Sequence, residues 1–345
     1  MSLTMPTNHF KSRSSNAAIM AGFSLVELLV SVTIGLILLL GLVTLLVNSS
    51  STHTELQKSS AQIENGRYAT QLLTDDLQLA GYYGEYKPTA YDLPEKTCTA
   101  AVTPVAPNMP SPVGYDLTSG VVDFACLSNR QAGTGVLVLR RTQTLPISPL
   151  PATNLDAGTV YLQVSQCNGL DTAPFKFGRV ADVGVGGFNL KKLKCLPTDP
   201  ALVRKVVTHI YYISSCNDCA AADGIPTLKE VELVDGAAQA AVALVEGIED
   251  MQFDYGIDAG GDGSPDSYVA SPAVATDWEN VMAVRINLLA RNVQPTAGYS
   301  DTKTYALGLA KPTYTVPAGA ARTYKRHLYT STVRVENPSA RREVP

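Results

Sequence analysis

Four oxygen-bearing side chains crowd one nine-residue stretch of this 345-residue sequence: Asp258, Asp262, Ser264 and Asp266, in Asp-Ala-Gly-Gly-Asp-Gly-Ser-Pro-Asp. Three carboxylates spaced by glycines can wrap a hard cation through oxygen ligands, and calcium is the cation this chemistry suits. The competing outcome is an acidic Gly/Pro turn between two strands, its aspartates bonded to local backbone. Cys216-Asn217-Asp218-Cys219 offers a second spacing. A zinc site would need two more ligands, and no second Cys-x-x-Cys or paired histidine exists, which leaves a small disulfide loop. The histidines at 9, 53, 209 and 327 stand isolated in the sequence. No Ser/His/Asp arrangement, His-Glu-x-x-His helix or phosphate loop is present, and no enzymatic activity is expected. Gly133-Thr134-Gly135 and residues 184–187 read as turns, and Arg341 with Arg342 as a solvated tail.

The third group is one residue. Glu27 is the only charge in the apolar run Phe23–Val47. Those 25 residues make a helix of about 37 Å, enough to cross a hydrocarbon core of about 30 Å. A carboxylate inside such a run is costly and marks a functional position. Lys11 and Arg13 precede the run, with no acidic residue ahead of Glu27. The basic end should stay in the cytoplasm and everything beyond Val47 should lie across the membrane. Gly35 and Gly41 within the run suit close helix packing.

Gly22-Phe23-Ser24-Leu25-Val26-Glu27, with the apolar run behind it, resembles the class III signal of type IV pilins and type II secretion pseudopilins. The resemblance implies cleavage by a prepilin peptidase between Gly22 and Phe23, with N-methylation of Phe23. It implies that Glu27 pairs with the terminal amine of a neighbouring subunit during assembly, which would offset its burial. A secretory signal peptide fits poorly, because such peptides are cut after the apolar segment.

No proline falls between Phe23 and Lys87, so one helix is expected from about Phe23 to Ala80, stopping at Gly81. Ala69, Leu72, Leu73, Leu77 and Ala80 form an apolar stripe, with Asp75 and Asp76 expected on the opposite side. Strand-like runs follow at Val121–Leu127, Gly135–Arg141, Thr159–Ser165, Val203–Ser214, Thr227–Val234, Gly247–Tyr255, Val281–Arg291 and Lys325–Val335. Val231 and Leu233 alternate with Glu230 and Glu232, the pattern of a sheet with one face on a core. The fold class is therefore α+β: a long N-terminal helix packed on antiparallel sheet, with a β-rich insert forming a second subdomain from 88–200. The expected divisions are a leader 1–22, a membrane or filament-core helix 23–47, its amphipathic half 48–81, the insert 82–200, a sheet head 201–337 and a tail 338–345.

Asn65-Gly66-Arg67-Tyr68-Ala69, Leu73-Thr74-Asp75-Asp76-Leu77 and Ala80-Gly81-Tyr82-Tyr83-Gly84 narrow the resemblance to minor pilins of the PilW family. J-type pseudopilins of type II secretion are more distant. Leu244 to Gln252, Trp278 with Val281-Met282-Ala283-Val284-Arg285-Ile286, and Tyr324-Lys325-Arg326 with Tyr329-Thr330 and Val333 agree. Residues 88–200 match no motif. The absence of cysteine after Cys219 sets the chain apart from major pilins. The resemblance implies an inner-membrane protein with a periplasmic head, assembled into a type IV pilus with other minor and major pilins. It implies a tip or priming complex that starts assembly for twitching motility or adhesion and carries an adhesin. The alternatives are a J-type pseudopilin and a membrane-anchored adhesive module. Calcium sites occur among pseudopilins, but Gly260 stands where a calcium loop has a second Asp or Asn, and Ala270 where an EF-hand has its bidentate Glu. A net charge of −4 gives no reason to expect nucleic acid. Six cysteines, at 98, 126, 167, 195, 216 and 219, allow about 15 pairings in an oxidising periplasm. Proximity favours Cys98–Cys126, Cys167–Cys195 and Cys216–Cys219.

Overall fold

The computed structural model describes residues 24–88, 110–115, 124–147, 155–167, 169–171, 173–181, 187–234 and 237–341. Helix α1 spans Leu25–Leu79. It stops where Gly81 takes a positive φ of 70°, a conformation that costs glycine nothing. The chain divides into two compact units, with the boundary inside α1 at Glu55 and Leu56.

In the first unit the apolar side chains of α1 are exposed, from Leu25 at 78% to Val47 at 58%. Its hydroxyls are satisfied within the helix. Ser31 donates to the Leu28 carbonyl, Thr33 to that of Val30 and Thr44 to that of Leu40. A helix with internally satisfied polar groups and an apolar surface is suited to hydrocarbon. Among the described residues this is the one helix long and apolar enough to cross a membrane.

The second unit is a helix on antiparallel sheet. Its first sheet contains β1 (Val113–Tyr115), β2 (Val136–Thr142), β3 (Tyr161–Val164), β4 (Phe175–Gly178), β5 (Val203–Ser214), β6 (Thr227–Val234), β7 (Ala237–Ala238) and β8 (Val242–Glu246). The order is β1-β2-β5-β3-β4, with β6 also pairing β5 and carrying β7 and β8. The second sheet contains β9 (Ile248–Ile257), β10 (Ser267–Val269), β11 (Val281–Arg291) and β14 (Arg326–Arg334), in the order β10-β9-β11-β14. Between β11 and β14 runs a small hairpin of β12 (Thr304–Tyr305) and β13 (Tyr314–Thr315). Short helices α2 (Ala275–Glu279) and α3 (Glu336–Ala340) complete the unit.

One core joins the three parts. Ala69, Leu73, Leu77 and Ala80 from the end of α1 pack with Ile210 and Tyr212 of β5, Met251 and Phe253 of β9, and Ile286 and Leu288 of β11. Helix and sheet approach so closely at Gly66 that a Cβ there would sit 2.2 Å from Cε2 of Tyr329.

The long strands follow the expected runs. Val203–Ser214, Thr227–Val234 and Val281–Arg291 are strands over those residues. Two expectations need correction. The strands between 88 and 200 form no separate subdomain: β2 and β3 both hydrogen-bond to β5, so they extend the same sheet. The Val121–Leu127 run is not a strand in its described part, where the Leu127 amide closes a turn onto the Phe124 carbonyl. Short strands such as β4 and β8 carry no alternation long enough to read in sequence.

Candidate assembly site

Glu27 sits in the first turn of α1, on an exposed stretch beside Ser24, Val26, Val30 and Ser31. Gly22 and Phe23 lie outside the described residues. Gly35 and Gly41 meet no atom of the chain within 4 Å, so no packing inside the molecule accounts for their missing side chains.

At its other end α1 is fixed to the sheet by charge as well as by apolar contact. Asp76 is buried, at 8% exposure, and faces the sheet, contrary to the expectation that it lies with Asp75 on the far side. Its spacing explains this: 69, 73, 76 and 80 repeat at four and three residues, so Asp76 belongs to the stripe. Asp75 is exposed. The Asp76 Oδ1 accepts a hydrogen bond from Nε of Arg141 on β2 at 2.8 Å. Its Oδ2 accepts from Nδ1 of His209 on β5 at 2.7 Å and from the Tyr211 hydroxyl at 3.0 Å. The far nitrogen of His209, Nε2, lies 3.3 Å from Oε1 of Glu230 on β6.

Burial pushes the Asp76 carboxyl up, but the hydrogen bond and charge of His209, with Arg141, outweigh it and hold it at about 2. Burial pushes His209 down, and the Asp76 hydrogen bond and charge together with Glu230 more than reverse this, so its pKa is raised. Burial, then the Asp76 charge, drives the Tyr211 hydroxyl above its usual value. The tyrosine hydroxyl donates to Asp76. An Asp–His pair with a donor hydroxyl superficially suggests hydrolase chemistry, yet here every group is spent on holding helix to sheet.

A second network ties down the chain between β11 and β14. The fully buried guanidinium of Arg326 donates to Glu249 at 2.6 and 3.1 Å and to Asp301 at 3.3 Å. Tyr305 donates to the same Asp301 oxygen at 2.9 Å. Burial, then the Glu249 charge, pushes Tyr314 up to about 12. Asp250 accepts from Lys311 at 2.6 Å, and burial still raises its carboxyl. The Gly133–Gly135 turn takes part, the Gly133 carbonyl accepting from Gln252 and Lys311. At the end of α1, Asn337 donates to the Ala80 carbonyl at 3.1 Å and Arg341 to that of Gly81 at 2.7 Å. Arg341 is therefore a helix cap and not a solvated tail; Arg342 lies outside the described residues. His53 is exposed, and His327 stacks edge-on to Tyr329.

The carboxylates of the acidic loop turn onto its own backbone. Asp258 is fully buried, and its oxygens accept the backbone N–H groups of Gly261, Asp262 and Gly263. Asp266 Oδ2 accepts from Ala259 and Gly260, and Asp262 Oδ1 from Ser264. The carboxylates cap backbone within one turn. Among the described residues no three Asp, Glu, His or Cys side chains gather where a metal could bind.

Cys167 is joined to Cys195 and Cys216 to Cys219. Cys126 is also disulfide-bonded, and Cys98 lies outside the described residues.

The family model described as Type IV Pilus-assembly protein W (PilW) matches residues 210–337, from β5 into α3. Over those residues, fewer than half of the 345, the chain is similar to that family of type IV pilus-assembly proteins. No curated protein and no solved structure matches it. The PilW match takes in Tyr211, Glu230, Glu249, Asp301 and Arg326, and leaves out α1, Arg141 and His209.

Sequence reading missed both networks. The signal for Asp76 was present in its spacing. For Glu249 and Arg326 there was none, because 77 residues separate them and only the sheet brings them together.

Proposed function

We propose that this chain is a minor pilin of the PilW kind, not an enzyme, and that it joins the tip or initiation complex of a type IV pilus. The observation that carries this is the division of α1: exposed and apolar through Leu25–Val47, then bound into the head through Ala69, Leu73, Asp76 and Leu77. A helix so divided has one half free for membrane or filament core and one half belonging to the head. Prepilin peptidase cuts between Gly22 and Phe23, Phe23 is N-methylated, and residues 1–22 are lost. Before assembly the helix anchors the protein in the inner membrane with its head in the periplasm, where the disulfides form. In the filament Glu27 pairs with a neighbouring pilin's terminal amine, and Gly35 and Gly41, open on all sides within the chain, let neighbouring helices approach. Major and minor pilins, and an adhesin at the tip, are the partners.

The test is a strain lacking this chain, complemented with wild type or with Glu27→Ala, scored for surface pili, twitching motility and exoprotein secretion. Lost pili with normal secretion, restored by wild type alone, is the expected result. Lost secretion with normal pili would replace this reading with a J-type pseudopilin. Normal piliation by Glu27→Ala would remove the role given to that carboxylate.

A further inference from the structure

Three leucines stand out at one corner of the first sheet. Leu170 is 75% exposed, Leu193 76% and Leu196 49%. Isolated exposed leucines are ordinary, but each of these lies within three residues of the Cys167–Cys195 disulfide, whose Cα atoms are 5.2 Å apart. Two tight turns meet there. The Leu170 amide donates to the Cys167 carbonyl at 3.0 Å and the Cys195 amide to that of Lys192 at 2.8 Å.

The base of this corner is firmly built. Buried Gln163 of β3 donates to the Ala201 carbonyl at 2.9 Å and accepts from the Leu190 amide at 3.0 Å. Asp171 accepts from Ser165 at 2.6 Å and from the Lys191 amide at 2.9 Å. The leucines are therefore displayed on a fixed frame, and their high exposure means that they project.

Charge identifies what they project toward. The chain carries a net −4, yet Leu190-Lys-Lys-Leu-Lys-Cys-Leu196 holds three lysines and no acid. Lys191 pairs with Asp171 at 3.1 Å and Lys192 with Asp199 at 3.0 Å. Lys194 is exposed, between the two projecting leucines. Projecting aliphatic side chains interleaved with cations match a surface that offers acyl chains below anionic headgroups.

We propose that this disulfide-stapled corner docks on an anionic lipid surface, with Leu170, Leu193 and Leu196 entering the acyl region and Lys194 meeting the headgroups. The inference is independent of the pilus role proposed above, since it concerns the head's contact with a second surface and not the anchor.

The test keeps the full chain. It is reconstituted through α1 into neutral phosphatidylcholine vesicles and mixed with acceptor vesicles of phosphatidylcholine containing phosphatidylglycerol. Docking is read by energy transfer between lipid dyes. Wild type should dock to the anionic acceptors and not to neutral ones, and less so at high salt. Lys194→Glu should weaken docking about fivefold or more. Changing Leu170, Leu193 and Leu196 together to Ser should weaken it about tenfold or more, with the far-ultraviolet spectrum unchanged because the sites are exposed. Equal docking by the triple variant, equal docking to neutral acceptors, or no docking by wild type would each overturn the proposal. The last outcome would give the patch to a protein partner instead.

Discussion

Asp76 on the helix and His209 on the sheet lie 2.7 Å apart, beside the apolar contacts of Leu73 and Leu77 with the sheet. The pair is the centre of a chain of charges that runs from Arg141 through Asp76 and His209 to Glu230, with Tyr211 donating to Asp76. It joins the buried end of α1 to three strands, β2, β5 and β6.

This pair should make head stability depend on pH from both sides. The Asp76 carboxyl is held at about 2, below its ordinary 3.8, so its contribution is present above about pH 4 and is lost as pH falls toward 2. The contribution is on the order of 2 kcal/mol. His209 is raised from 6.5, so its contribution is full below that value and fades as pH rises through the folded pKa. Glu230, raised by burial, also disfavours high pH. Urea unfolding of detergent-solubilised protein should show greatest stability between about pH 4 and 6.5. In His209→Gln the loss on the alkaline side should shrink. An unchanged alkaline profile in that variant would show that His209 stays neutral in the folded protein.

Gly66 should resist enlargement. Tyr329 Cε2 lies 2.2 Å from the position of a Cβ at Gly66, and the ring is packed edge-on against His327. Alanine would gain about 1 kcal/mol of helix propensity while forcing the ring aside, so Gly66→Leu is the decisive change. It should cost about 1–3 kcal/mol, and Tyr329→Ala in the same chain should recover part of that loss. Additive effects of the two changes would remove the contact as the cause.

Arg326 illustrates a buried ion network whose value lies in its completeness. Its side chain is fully enclosed, with Glu249 and Asp301 both on it. Removing it leaves two carboxylates without their cation, and breaking such a pair costs about 3–5 kcal/mol. Arg326→Ala should therefore unfold at much lower urea than wild type, whereas Lys303→Ala, at an exposed side chain close to Asp301 in sequence, should be neutral. The measurement is the unfolding midpoint of each.

What could be read from the sequence divides along physical lines. The helix was legible because an apolar run, a missing proline and a terminal glycine act locally. The long strands β5, β6 and β11 were legible because each has a face to bury and enough residues to show it. Asp76 departs from the usual link between charge and exposure, because its place in the four-and-three spacing puts it inward. His209 looked isolated because its partners are 133 residues before it on the helix and on a neighbouring strand. The insert strands were assigned to their own subdomain because nothing in 88–200 announces that β5 receives them on its edge.

The acidic loop supplies the remaining prediction, and the aspartates there should be structural. Asp258 is enclosed and accepts three backbone amides, and Asp266 accepts two more. A cation would have to displace these bonds before it gained the oxygens, and two of the six to eight ligands calcium takes would not repay that. Adding calcium or a chelator should leave the unfolding midpoint unchanged. Asp258→Ala should instead destabilise the head by about 1–3 kcal/mol, since buried amides lose their acceptor, and the loss should be the same with and without calcium. A calcium-dependent rise in stability that Asp258→Ala abolishes would restore the cation reading. The turn between β9 and β10 is held by aspartate-to-amide bonds.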